Sequence, residues 1–232
     1  MNRIEYVRPE MIETRSFEII GEELSRQNIK LRRLISDDTC PIKSEPVIKR
    51  VIHTTADFDY ADSLVFSEDA LLKAANLFSE GCVIVTDTNM ALSGINKTAL
   101  KKLGIEAVCY MADEDVAKEA KERGITRASV SMERAAALSK PVIYAIGNAP
   151  TALVSIYENY KKAKDDNDGD PLSIPGLIIG VPVGFVNVVA AKELIMESGL
   201  PYIVAAGRKG GSNVAAAIVN AMMYQLTRKD MQ

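Results

Sequence analysis

From residue 82 onward, short runs of apolar and β-branched residues alternate with longer stretches in which apolar positions recur at three and four. The runs are CVIVTD (82–87), IEAVCYM (105–111), PVIYAIG (141–147), GLIIGVPV (176–183) and PYIVAAG (201–207). Each is apolar without alternation, the pattern of a strand buried on both faces as parallel sheets require. Between them lie NKTALKKLG, DEDVAKEAKERG, TRASVSMERAAALS, TALVSIYENYKKAK and VNVVAAKELIMESG, several ending in a glycine suited to a left-handed C-terminal cap. Strand-helix alternation with right-handed crossovers predicts a doubly wound α/β fold: a mainly parallel five-stranded sheet with helices on both faces.

The first 80 residues have a different pattern and predict a mainly helical N-terminal part. Residues 10–35 read as one long amphipathic helix, SEPVIKRVIHTT as a second and SEDALLKAANLFSEG as a third, with Ser44 and Ser67 as N-caps. The tract KKAKDDNDGDP (161–171) reads as a solvated loop. No internal repeat or linker divides the chain. A single domain over 1–232 is expected, with 1–80 as its helical part and 81–232 as its α/β core.

Composition removes several classes of function. Hydrophobic residues make up 47% and charged residues 25%, as in an ordinary globular protein, and the net charge of −3 argues against nucleic acid as a partner. The polar start MNRIEYVRPE lacks the apolar core of a signal peptide, and no run is long and clean enough to span a membrane. Cys40, Cys82 and Cys109 are widely spaced, without a CxxC pair, and one histidine cannot complete a conventional zinc site. Reduced thiols, a cytoplasmic location and no metal centre are the resulting expectations.

In doubly wound sheets, ligands bind beyond the carboxyl ends of the strands. Those ends here carry Thr86-Asp87-Thr88-Asn89, Gly147-Asn148-Ala149-Pro150-Thr151, Pro182-Val183-Gly184-Phe185 and Gly207-Arg208-Lys209-Gly210-Gly211-Ser212-Asn213. The last runs into an Ala-rich helix opened by Ser212 or Asn213, so free N–H groups and two cations suit an anion. It matches neither the Walker A pattern nor GxGxxG. A glycine turn that merely eases helix-to-sheet packing is the alternative. Asp87 reads as a general base, a counter-ion or a cap.

The sole histidine, His53, falls near the end of the second predicted helix, where the negative end of the helix dipole favours a cationic ring. A capping or core histidine is the bland reading. Against it stand the flanking Thr54 and Thr55, nearby Asp57 and Asp59, and the scarcity of other groups that titrate near neutrality. A serine hydrolase is poorly supported, because G-x-S-x-G is absent. Proton transfer is the task such a histidine would perform.

Taken together, ETRSF (13–17), VIH (51–53) with LVFS (64–67), TDTNMALSGI (86–95), TR (126–127), AIGNAPTAL (145–153), GVPVGFVN (180–187) and GRKGGSN (207–213) resemble the precorrin-8X methylmutase family, cobalt-precorrin-8 methylmutases included. The segments occur in that family's order over nearly the whole chain. The resemblance implies an isomerase of cobalamin biosynthesis that moves a methyl group from C11 to C12 of a late tetrapyrrole, giving hydrogenobyrinate or its cobalt counterpart cobyrinate. It implies His53 as proton donor and acceptor, and substrate contacts at Ser16, Asp87, Thr88, Arg127, Asn148, Arg208, Gly211 and Ser212. It further implies a homodimer and no cofactor, any cobalt being carried within the substrate. GRKGGSN looks closer to the cobalt-dependent, anaerobic branch.

The resemblance agrees with the residue chemistry. A large, flat ring fringed with carboxylate arms needs several anion sites, and Arg127, Arg208, Lys209 and helix N-termini can supply them. Two rivals stand beside it: a corrinoid-binding protein without turnover, and a phosphate- or nucleotide-utilising α/β enzyme built on the GRKGGSN turn.

Overall fold

A computed structural model of the chain describes residues 4–34, 38–165 and 174–228. A short 3₁₀ turn at Pro9–Met11 leads into α1 (Ile12–Arg26), then α2 (Ser44–Thr55), α3 (Tyr60–Ser63), β1 (Leu64–Phe66) and α4 (Ala70–Glu80). The core follows as β2 (Val83–Thr86), α5 (Asn89–Gly94), α6 (Lys97–Leu103), β3 (Glu106–Val108), α7 (Glu114–Arg123), α8 (Arg127–Ala136) and β4 (Val142–Ile146). It ends with α9 (Pro150–Asp165), β5 (Leu177–Gly180), α10 (Val188–Glu197), β6 (Tyr202–Ala205) and α11 (Ser212–Thr227).

All five expected strands form, and β3-β2-β4-β5-β6 lie parallel to one another. The expected strand count needs correction, because the sheet has six strands among the described residues. The sixth, β1, pairs antiparallel with β6 at its edge, Leu64 opposite Ala205 and Phe66 opposite Ile203. At three residues it is too short to stand out among helices, and it is stabilised by this pairing rather than by its own pattern.

The strands alternate between two buried clusters, one on each face. Ile84, Ile143, Ala145, Leu177, Ile179 and Ile203 face the cluster built with α2, α4 and α11. Val83, Val85, Val142, Tyr144, Ile146 and Ile178 face the one built with α8, α9 and α10. Helix α11 explains its own position: its Ala-rich sequence has high helix propensity and is apolar nearly all round, so it is buried along most of its length between the sheet and α2.

The expected helix over 10–35 is shorter. It stops at Arg26, where Asn28 takes a left-handed φ of 55°. Ile29 N–H then donates to Leu24 O at 2.9 Å and Asn28 N–H to Ser25 O at 3.1 Å, the paired bonds of a Schellman cap. Neither expected serine cap forms. Ser44 is the first residue inside α2 and donates to Arg32 O at 2.9 Å, while Ser67 precedes Asp69, the residue that flanks α4. Of the tract expected as a loop, residues 161–165 continue α9, and 166–171 lie outside the described residues.

Candidate active site at the strand ends

The parallel strands run in an order in which β2 and β4 are neighbours while their successor helices lie on opposite faces, so their carboxyl ends form the switch point at which doubly wound sheets take ligands. Asp87 sits there, directly after β2, with no exposed surface. Its Oδ1 accepts the Gly147 N–H at 2.8 Å, and its Oδ2 accepts those of Asn148 at 2.8 Å and Ala149 at 2.6 Å. Burial pushes the carboxyl above its usual range, against the pull of the three N–H groups. Asp87 therefore acts on the turn after β4 and holds the exposed Asn148 in place.

Thr88 caps α5 by accepting the Ala91 N–H at 3.0 Å, and its Oγ1 lies 2.8 Å from Ser212 Oγ at the start of α11. Gly147 makes that approach possible. A Cβ there would stand 2.6 Å from Ser212 Cα and 2.8 Å from its N, so only hydrogen fits between the two turns. Gly211, buried at φ 140°, ends the glycine turn, and Ser212 opens α11 as expected. The first N–H groups of that helix have no intrahelical acceptor.

The turn from Gly207 to Gly211 is anchored from below and from the side. Lys192 of α10, with no exposed surface, donates to Gly207 O and Lys209 O, each at 2.8 Å. Burial lowers its amine from 10.5 to about 8. Sequence reasoning missed this residue, because a lysine at a helical core position reads as an exposed stem. Its signal was there: the apolar i−4, i−1 and i+3 neighbours Val188, Ala191 and Ile195 are all buried.

The Lys209 side chain reaches Asp57 Oδ2 and Asp59 Oδ2, each at 2.6 Å. Lys209 had been expected to serve as an anion site, and this double pairing commits its charge instead. Asp57 and Asp59, noted in the sequence as lying near His53, pair with Lys209. Hydrogen bonding to Lys209 holds the Asp57 carboxyl below the usual carboxylate range, although burial opposes it. The pairing ties the turn to the end of α2, which stops at Ala56 in a left-handed conformation of φ 53°.

His53 is exposed in the last turn of α2, as expected, and among the described residues its side chain makes no hydrogen bond. Thr54 and Thr55 donate to Arg50 O and Val51 O within the helix. The ring stacks on Phe17 of α1, with centroids 5.5 Å apart and planes 18° apart. Ser16, beside Phe17, is half-buried and donates to Ile12 O at 2.8 Å.

Arg127 is exposed at the first turn of α8, whose cap Thr126 contacts Thr151 of α9 at 3.4 Å. Arg208 is exposed with its guanidinium 5.4 Å from the Phe185 ring centroid. Neither arginine forms an ion pair among the described residues. Phe17 stacks on His53 near the end of α2, Asp57 and Asp59 just beyond that end pair with Lys209, and Ser212, three residues after Lys209, meets Thr88 beside Asp87, which holds Asn148.

With that geometry in view, comparison with known proteins decides the family. Residues 11–225 match the precorrin-8X methylmutase family model. The chain belongs to the precorrin-8X methylmutase family. It is 44% identical to the cobalt-precorrin-8 methylmutase of Salmonella typhimurium, over 94% of this chain and 96% of that one. The cobalt-precorrin-8 methylmutase of Priestia megaterium is 38% identical over 93% and 88% of the two chains. A precorrin-8X methylmutase structure from Thermus thermophilus superposes with a TM-score of 0.76 at 31% identity, covering 94% of this chain and 98% of that one. A methylmutase of this family is an isomerase of cobalamin biosynthesis, and its fold is the α/β fold described above. Among the described residues no helix is long and apolar enough to cross a membrane, and no three His, Cys, Asp or Glu side chains cluster as metal ligands.

Proposed function

We propose that the chain moves a methyl group from C11 to C12 of precorrin-8X or cobalt-precorrin-8, with His53 giving a proton to the macrocycle and taking one back. Protonation makes the ring system cationic and so eases migration of the methyl group; deprotonation afterwards restores the histidine. The reaction is an intramolecular rearrangement with no net oxidation, so the chemistry calls for no redox cofactor. Cobalt, where present, arrives in the substrate.

The observation that carries this reading is the placement of His53. It is an exposed imidazole whose nitrogens have no hydrogen-bond partner among the described residues, at the end of a helix that the Asp57 and Asp59 pairings tie to a turn that also presents Arg208 and the α11 N-terminus. Arg127 and Arg208 would bind carboxylate arms. Met90, Val183, Phe185 and Val186, exposed in the segments that follow β2 and β5, would cover a flat apolar ring. Ser16, Thr88, Asn148, Gly211 and Ser212 complete the proposed substrate contacts, and Asp87 supports them from behind.

Both relatives named above are cobalt-precorrin-8 methylmutases, which favours the cobalt substrate. We further propose a homodimer in the cytoplasm. The test is His53→Ala, which should retain the visible spectrum of bound tetrapyrrole on gel filtration and lose conversion. Undiminished conversion would sink the mechanism. Offering metal-free and cobalt-containing substrates side by side decides which is used.

A further inference from the structure

An exposed imidazole that makes no side-chain hydrogen bond among the described residues has little to fix its plane. The second torsion of histidine is broad and roughly two-fold, so such a ring samples a range of orientations in water. A proton donor needs the opposite, because transfer depends on an aligned nitrogen. In this site one contact opposes rotation: the Phe17 ring, 5.5 Å from the imidazole centroid and 18° from its plane.

Phe17 is itself held. Arg50 and His53 are three residues apart on α2 and share one side of that helix. The Arg50 guanidinium lies 4.7 Å from the Phe17 centroid and 5.4 Å from that of Tyr224 on α11. Arg50 is nine-tenths buried and paired with Glu13, which also accepts from Arg228 at 3.2 Å. Burial acts to raise the Glu13 carboxyl, but the two arginines overcome it and hold the carboxyl below its ordinary value. The ring of Phe17 thus carries the held Arg50 cation over its face and stacks on the imidazole.

We propose that Phe17 is the positioning residue for His53. It sets the plane of the imidazole by stacking, so that the nitrogen edge is presented to the macrocycle, and Arg50 with Glu13 keeps Phe17 in register. This assigns a task to the aromatic residue of the ETRSF segment and rests on the reading of His53 as proton donor.

The test exploits the fact that His53 is the only histidine in the chain, so its imidazole proton resonances are unambiguous. Phe17→Leu retains apolar bulk without a π face. It should move the His53 resonances away from their ring-current-shifted position. With cobalt-precorrin-8 as substrate it should lower kcat about 3- to 10-fold, the range a stacked aromatic pair contributes, while KM stays near wild type. Phe17→Tyr should restore both. Phe17→Met provides a second non-aromatic variant if Phe17→Leu melts abnormally.

Unmoved resonances in both non-aromatic variants, or wild-type kcat in a folded Phe17→Leu protein, would overturn the inference. Failure of the underlying reading has another signature: His53→Ala itself would retain conversion, while the resonances would still respond to Phe17→Leu.

Discussion

Replacing Asp87 tests the central joint of the site. Its carboxylate accepts three backbone N–H bonds from the turn after β4, and it has no exposed surface. Asp87→Asn leaves one oxygen, able to keep Asn148 and Ala149, and turns an amide NH₂ toward the Gly147 N–H. One bond is lost and one buried N–H is left without a partner, a cost of about 1–3 kcal/mol, partly offset because the neutral amide is easier to bury. We expect a net loss of about 2 kcal/mol, which for a chain of this size lowers Tm by about 4–8 °C. Asp87→Ala strips all three acceptors and should cost about 3–5 kcal/mol. Urea unfolding followed by far-UV circular dichroism measures both. Conversion at a temperature where each variant remains folded should fall further than stability accounts for, because Asn148 loses its seat. An Asp87→Asn protein within about 0.5 kcal/mol of wild type and fully active would refute the account.

Ala56 ends α2 with φ 53°, a left-handed conformation that costs a non-glycine residue about 1 kcal/mol or more; Ala56→Gly should therefore raise Tm by about 2–4 °C, and a fall would count against strain at that turn. The Lys192 amine has a folded value of about 8 against 10.5 unfolded, so the unfolded chain binds more protons between those values and stability from this group rises as pH climbs through them. The gain is at most about 3 kcal/mol, since the two carbonyl bonds favour the charged form. In urea melts at rising pH across that window, Lys192→Met should lose this slope, and parallel curves for the two proteins would exclude it. Lys209→Met removes the bridge to Asp57 and Asp59. Because the pair is largely exposed, stability should barely change while kcat/KM drops severalfold; unchanged kinetics would mean the bridge does not position His53.

What could be read from the residues follows from how each signal arises. The parallel strands were legible because burial on both faces removes alternation and leaves an apolar run, as in VIVT and VIYAI. Strand β1 was not, since LVF acquires its strand character from β6, far along the chain. The end of α1 was legible in principle: Asn28 is a residue type that tolerates a left-handed cap, and it was overlooked because amphipathic spacing continues past it. His53 and the polar strand ends could be located from motif order. The pairing of Lys209 with Asp57 and Asp59 could not, because charge alone does not say whether a lysine faces a ligand or a neighbour. Lys192 was hidden for the complementary reason: a charged letter masks a position that three-dimensional packing makes fully internal.

The antiparallel junction of β1 with β6 has a consequence for how the protein is made. Leu64–Phe66 emerge from the ribosome about 140 residues before their partners, a wait of roughly ten to thirty seconds at ordinary elongation rates. Throughout that interval the nascent chain carries an unpaired apolar strand, and the end of α2 has nothing to bind it to the unfinished sheet. His53 is synthesised early and seated late, so premature termination before β6 would yield a chain that contains His53, Phe17 and Arg50 but lacks Lys209, Tyr224 and Arg228, the groups that hold them in place.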